Sequence, residues 1–140
     1  MSQEQIEIIT VETLADKVKA MKAQGRRLVQ ISATRLSDAI ELTYSFDLDS
    51  QLANLRLSLP AEKPALPSVS SIYLCAVLYE NEIHDLFGVQ VDGMAIDFKG
   101  NFYKTAVKFP FASASACPPA PKAAPAAAPA PAAAAPATPK

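Results

Sequence analysis

Between Leu28 and Leu59 the chain repeatedly alternates apolar and polar residues, and this pattern limits the possible folds more than any other feature. Ile40, Leu42, Tyr44 and Phe46 are interleaved with Glu41, Thr43 and Ser45; Leu55, Leu57 and Leu59 are interleaved with Asn54, Arg56 and Ser58. Successive side chains of a strand point to opposite faces, so each segment has one face for a core and one for water. Leu28 to Thr34 reads as a further buried or half-buried strand, and Asp47-Leu48-Asp49-Ser50 as a turn. Consecutive segments of this kind form an antiparallel meander with one face covered.

Two helical patterns supply the cover. Thr10 is placed to cap a helix from Val11 to Gln24, with Val11, Leu14, Val18 and Met21 on one face and Gly25 as its stop. Ile6 to Ile9 is a short candidate strand before it, and Pro60 to Pro67 is a rigid connection after the meander. A second helix is expected from Ser70 or Ser71 to Phe87, with Ile72, Ala76, Tyr79, Ile83 and Leu86 on its core face and Cys75 and Phe87 at the margins. The expected fold is therefore α+β, a two-layer sandwich of an antiparallel sheet under two helices.

Three regions follow from this reading: a core domain over residues 1–89, an extended aromatic arm over 90–111, and a disordered tail over 112–140. In the arm, Met94 to Phe98 and Phe102 to Phe109 flank the turn signal Lys99-Gly100-Asn101, which would permit a hairpin. Its aromatic residues are too many to bury easily in a small domain. The arm either lies on a partner or packs back over its own sheet. The tail is almost wholly Ala and Pro, with prolines too frequent for a helix and alanines too small to offset the ordering of the backbone.

Composition excludes several roles. The tail inflates the 50% hydrophobic content, and no window approaches the roughly 20 uncharged apolar residues of a membrane span. The polar start Met1-Ser2-Gln3-Glu4 lacks the basic region of a signal peptide, so a cytoplasmic location is expected. A net charge of −1 without a basic stripe argues against nucleic acid as a partner. Cys75 and Cys117 lie in such different settings that a structural bridge is not expected; Cys75 reads as a small buried hydrophobe.

The second helix carries the unusual chemistry. Leu74, Val77 and Leu78 give it an additional apolar surface, which Asn81, Glu82, His84 and Asp85 replace in the last turns before Gly88. Glu80, Glu82 and Asp85 oppose the helix dipole, at a cost of a few tenths of a kcal/mol up to about 1 kcal/mol each. Acids in that position are expected to meet something outside the helix. Glu80 and His84 stand four residues apart and could share a metal, but zinc needs three or four protein ligands and the chain has one histidine. Two isolated cysteines cannot hold an iron–sulfur cluster, and the four glycines sit at turns or helix ends instead of in a phosphate loop. Cys75 and His84 project from different sides of the helix, which removes a thiol–imidazole nucleophile. No cofactor, metal or catalytic residue is therefore expected on this chain.

The stretch from Pro67-Ser68-Val69 to Gly88-Val89 resembles the signature of the thirty-kilodalton subunit family of respiratory NADH:quinone oxidoreductase. Glu80, Glu82, Asp85, Phe87 and Gly88 stand at the positions of a Glu-Arg-Glu-x-x-Asp-hydrophobic-Phe-Gly helix. Asn81 replaces the arginine, and Met94 and Phe98 stand where the respiratory proteins carry His-x-x-x-Arg. These departures and the short folded part look more like the small counterpart of that protein in energy-converting, Ech-type [NiFe] hydrogenases. The resemblance implies a structural subunit without a cofactor, peripherally membrane-associated through its complex. Its implied partners are a large [NiFe]-type subunit and a small iron–sulfur subunit, which would carry ferredoxin oxidation, hydrogen evolution and ion translocation. Leu74, Leu78, Glu80, Glu82, His84, Asp85, Phe87 and Gly88 are the expected partner interface. The alternatives are the thirty-kilodalton subunit of an NADH:quinone oxidoreductase-type complex, or a free-standing small enzyme using Glu80 and His84.

Overall fold

The computed structural model of the chain describes residues 5–112. The elements run β1 (Gln5–Ile8), α1 (Val11–Ala23), β2 (Arg27–Arg35), β3 (Ala39–Leu48), β4 (Gln51–Pro60), β5 (Ala65–Pro67), α2 (Ala76–Phe87) and β6 (Gln90–Asp92). The alternating segments form the expected meander, β3 pairing antiparallel with both β2 and β4. Asp49 and Ser50, both at positive φ, close the tight turn between β3 and β4. That backbone matches the right-handed twist of the flanking strands. Ile40, Leu42, Tyr44 and Phe46 of β3 are buried with Leu55, Leu57 and Leu59 of β4 beneath the helices. Leu14 and Val18 of α1 and Ala76 and Ile83 of α2 complete this core.

The expected α+β sandwich is present, with one correction: its sheet is mixed. The strand order is β1-β4-β3-β2, and β1 pairs parallel with β4. The reason is the α1 crossover, which returns the chain to the sheet in its original direction at the opposite edge. Along β1 the usual pattern is inverted. Ile6 and Ile8 lie beside Asn54 and Arg56 on the open face, whereas Glu7 falls in line with Leu55 and pairs with Lys17 of α1. The connection from Pro60 to Pro67 also contains more structure than expected, because Ala65–Pro67 pairs parallel with Gln90–Asp92 in a second, two-stranded sheet.

Two further expectations are corrected. The second helix starts at Ala76, after a lead-in of tight turns in which Ile72 and Tyr73 donate to the Val69 carbonyl and Ala76 to that of Tyr73. Residues 93–112 contain no strand, so the hairpin does not form. They wind through turns and bends along the outer side of α2 instead of over the sheet. The tail expectation for residues 113–140, together with Cys117, lies outside the described residues.

Candidate interface around the second helix

Helix α2 is covered on two sides, by the sheet below and by the 93–112 arm beside it. Its polar residues hold the arm. Glu80, with 1% of its surface exposed, accepts from the Val69 N–H through Oε1 at 2.7 Å and from the Ser68 hydroxyl through Oε2 at 2.6 Å. The single Ser68 hydroxyl hydrogen is committed to Glu80, so in the 2.6 Å contact between the two serines Ser70 must donate. Ser70 Oγ in turn accepts from the Ala95 N–H at 2.9 Å, which carries the network from the helix into the arm.

Burial raises the Glu80 pKa above the ordinary glutamate range, and the Ser68 and Val69 hydrogen bonds partly oppose that rise. Beneath it, burial and then the Glu80 charge push the Tyr44 hydroxyl upward as well. That hydroxyl is buried without a hydrogen-bond partner among the described residues.

The next residue, Asn81, is fully buried and satisfied on both ends. Its Nδ2 donates to the carbonyls of Val77 at 2.8 Å and Ile96 at 3.0 Å, and its Oδ1 accepts from the Phe98 N–H at 3.0 Å. Asp85 accepts from the Tyr103 N–H at 2.8 Å, and its other oxygen lies 3.0 Å from His84 Nδ1. Glu82 receives the Tyr103 hydroxyl at 3.3 Å, and its charge raises the Tyr103 pKa. The Phe111 N–H reaches the Leu86 carbonyl at 2.8 Å, and its ring packs on Phe87 with centroids 5.5 Å apart.

Gly88 ends the helix at φ 72°, and a Cβ there would lie 3.1 Å from the Phe109 ring. The arm closes over the helix end because this position has no side chain. Phe109 also meets His84 edge-on, with centroids 5.9 Å apart.

The positions singled out in the sequence therefore divide. Glu80 and Asp85 are turned onto their own chain, and Glu82 touches the arm at its rim. His84 and Phe87 are half-buried beside it. Leu74 and Leu78 remain open, 69% and 54% exposed. Cys75, expected as a buried hydrophobe, is exposed at the start of α2, because the lead-in turns Tyr73 inward in its place. Asn81 and the Ser68–Ser70 pair are the organising residues that sequence reasoning missed. Their only signal was a neutral polar residue set between Glu80 and Glu82, and a Ser-x-Ser pair ahead of the helix.

The geometry offers little for catalysis. Glu80 and His84 diverge, one toward Ser68 and Val69 and the other toward Asp85 and Phe109. Among the described residues no three acidic, histidine or cysteine side chains gather as metal ligands. A cleft of about 580 Å³ beside the helix end is lined by His84, Gln90, Asp92, Met94 and Asp97. It holds proton-exchanging groups but no serine, threonine or cysteine to act as a nucleophile. Among the described residues no helix is long and apolar enough to cross a membrane.

A mixed sheet under two helices, with a helix whose acids bond to the segments before and after it, defines a small α+β domain. The chain belongs to the family of the 30 Kd subunit of respiratory-chain NADH dehydrogenase, whose pattern matches residues 7–100. Among solved structures it is similar to a chain in the membrane-bound sulfane sulfur reductase, an archaeal respiratory membrane complex, at 26% identity and a TM-score of 0.62. That match covers 71% of this chain and 64% of the other, so the chain spans less than two thirds of that relative's length. The trypsin-resistant fragment of Nqo5 shares the fold at 23% identity and a TM-score of 0.57, over 65% of this chain and 80% of the fragment. No curated protein sequence matches.

Proposed function

We propose that this chain is a structural subunit, without a redox centre of its own, of a membrane-bound complex related to respiratory complex I. The carrying observation is the family match across residues 7–100, which takes in both the sheet and the acid-bearing helix. The site chemistry supports it, because the helix carboxylates are engaged within the chain, Glu80 with Ser68 and Val69 and Glu82 and Asp85 with Tyr103. The likeness to a chain of an archaeal respiratory membrane complex points the same way.

Within that group we favour an energy-converting [NiFe] hydrogenase. Met94 and Phe98 stand where the respiratory proteins carry His-x-x-x-Arg, and here they have other tasks. Met94 packs against the core, and Phe98 lies on Phe102 with ring centroids 5.4 Å apart. In this reading the chain braces a large [NiFe] subunit and a small iron–sulfur subunit on the cytoplasmic side, and those partners carry the electrons and the ion movement. A second reading, a subunit of a sulfur-reducing complex, is favoured by the identity of the solved relative.

The test is purification of the tagged full chain from membranes of its host, with mass spectrometry of the accompanying proteins and metal analysis. Nickel and iron in the complex support the hydrogenase; iron without nickel, and no NADH-binding subunit among the accompanying proteins, supports the second reading. Recovery of the chain alone refutes both.

A further inference from the structure

Where the C-terminal end of α1 meets the start of α2, the surface carries both apolar and positive character. A cleft of about 300 Å³ is lined by Lys22, Arg26, Arg27, Leu28, Tyr73 and Cys75. Tyr73 fixes its wall by donating its hydroxyl to the Arg26 carbonyl at 2.6 Å, while Lys22 Nζ stands 4.6 Å over the tyrosine ring. Of the three cations only Arg27 has an acidic partner among the described residues, Asp47 at 2.9 Å. Arg26 bonds to neutral oxygens, those of the Gln24 side chain and the Gln51 carbonyl.

The α1 dipole accounts for a cation at Lys22, in the last turn of that helix. Arg26 and Arg27 lie beyond the helix, and that explanation does not reach them. The cleft therefore holds local positive charge on a chain whose net charge is −1. In the chain Leu74 falls between Tyr73 and Cys75 of its lining, and Leu78 follows in the first turn of α2; both are among the more exposed leucines of the described residues.

Resting on the subunit role proposed above, we propose that this corner is a docking surface for an acidic, apolar segment of a partner protein in the complex. Aliphatic side chains of that segment cover Leu74 and Leu78, and a carboxylate enters the cleft to face Lys22 and Arg26. The occupant follows from charge complementarity: a basic or neutral segment would leave the two cations desolvated and unpaired, which is costly at an interface.

The experiment compares the tagged full chain with a Lys22→Glu/Arg26→Glu variant and, separately, with Leu78→Asp, each purified from host membranes at about 0.15 M salt. Melting of each free variant is measured alongside. These side chains are exposed or half-exposed, so folding should survive; should the double variant fail to melt cooperatively, Leu78→Asp decides. The expected result is a loss of at least about tenfold in recovered partner for each folded variant, with a control Lys63→Glu retaining it. Full retention by the folded variants overturns the docking surface and leaves the subunit role standing. A wild-type chain that purifies without partners, or as a dimer of itself, overturns both.

Discussion

The buried Glu80 carboxylate gives the sharpest test of how this fold is held. Replacing it with Leu keeps much of its volume and removes both acceptors. Ser68 can then turn its hydrogen to Ser70, 2.6 Å away, but the Val69 N–H is left buried without a partner. An orphaned buried donor costs about 1–3 kcal/mol, and relief from burying a charge returns part of that. The expected net loss is about 2 kcal/mol, or a fall of about 10 °C in Tm for a domain of this size. Glu80→Gln should behave differently. Its oxygen can still accept from Val69, and its amide can donate to Ser68 Oγ, so the change should stay within about 1 kcal/mol.

Titration adds an independent arm to this test. The folded state holds the Glu80 proton more tightly than the unfolded chain, whose glutamate titrates near 4.5. Unfolding thus releases a proton, and the contribution of this group to stability falls as pH rises from there through the raised folded value, then levels off. Urea melts of wild type and Glu80→Gln at closely spaced pH, subtracted from each other, isolate that slope. A Leu variant as stable as wild type, or a difference curve that rises with pH in this interval, would show that the buried Glu80 carboxylate does not hold the fold in this way.

Tyr44→Phe removes a buried hydroxyl without a hydrogen-bond partner among the described residues and should stabilise the domain by up to about 1 kcal/mol, seen as a higher Tm. Gly88→Ala puts a side chain into a left-handed backbone position and against Phe109. It should cost about 1–2 kcal/mol in denaturant melts, with Phe109 displaced in NMR ring-current shifts. Asp85→Ala deletes the acceptor of the Tyr103 N–H and should loosen the arm more than the domain. Trypsin cleavage at Lys99 and Lys104 should quicken about tenfold, with Tm little changed, while Asp85→Asn, which keeps an oxygen, should lie nearer wild type.

The sheet was legible because burial and alternation coincide along β3 and β4, where every apolar residue of the pattern from Ile40 to Phe46 and from Leu55 to Leu59 is buried. Strand β1 was legible only as a strand. Its outward isoleucines, 46% and 84% exposed, carry no periodic signal of a parallel partner, and the pairing with β4 comes from the crossover geometry. The helix acids read as facing outward in the sequence because charges near a helix C-terminus normally do. Their partners are backbone N–H groups of Val69, 11 residues earlier, and of Tyr103, 18 residues later. Backbone donors leave no mark in a sequence, so a carboxylate that will meet one cannot be told from a solvated one. Cys75 departs from its expected place for a related reason: counting a helical face from Ser70 or Ser71 runs through a lead-in that is not helical.

This arrangement separates two uses of the same helix. Asn81 and Asp85 follow Val77 along one line of the helix, all three buried, and the backbone of the arm bonds to both polar side chains. Leu78, one position along, and Leu74 of the lead-in have no such cover among the described residues, while Glu82, one turn beyond Leu78, meets the Tyr103 hydroxyl. Side chains already saturated with internal hydrogen bonds gain little from a partner, whereas exposed leucines beside uncompensated cations gain area and charge neutralisation together. In the proposed complex, therefore, Glu80, Asn81 and Asp85 should affect assembly only indirectly, by setting the position of the arm. Leu74, Leu78, Lys22 and Arg26 should affect it directly. Substitutions in the first group are expected to lower protease resistance and assembly in parallel, and those in the second to lower assembly alone.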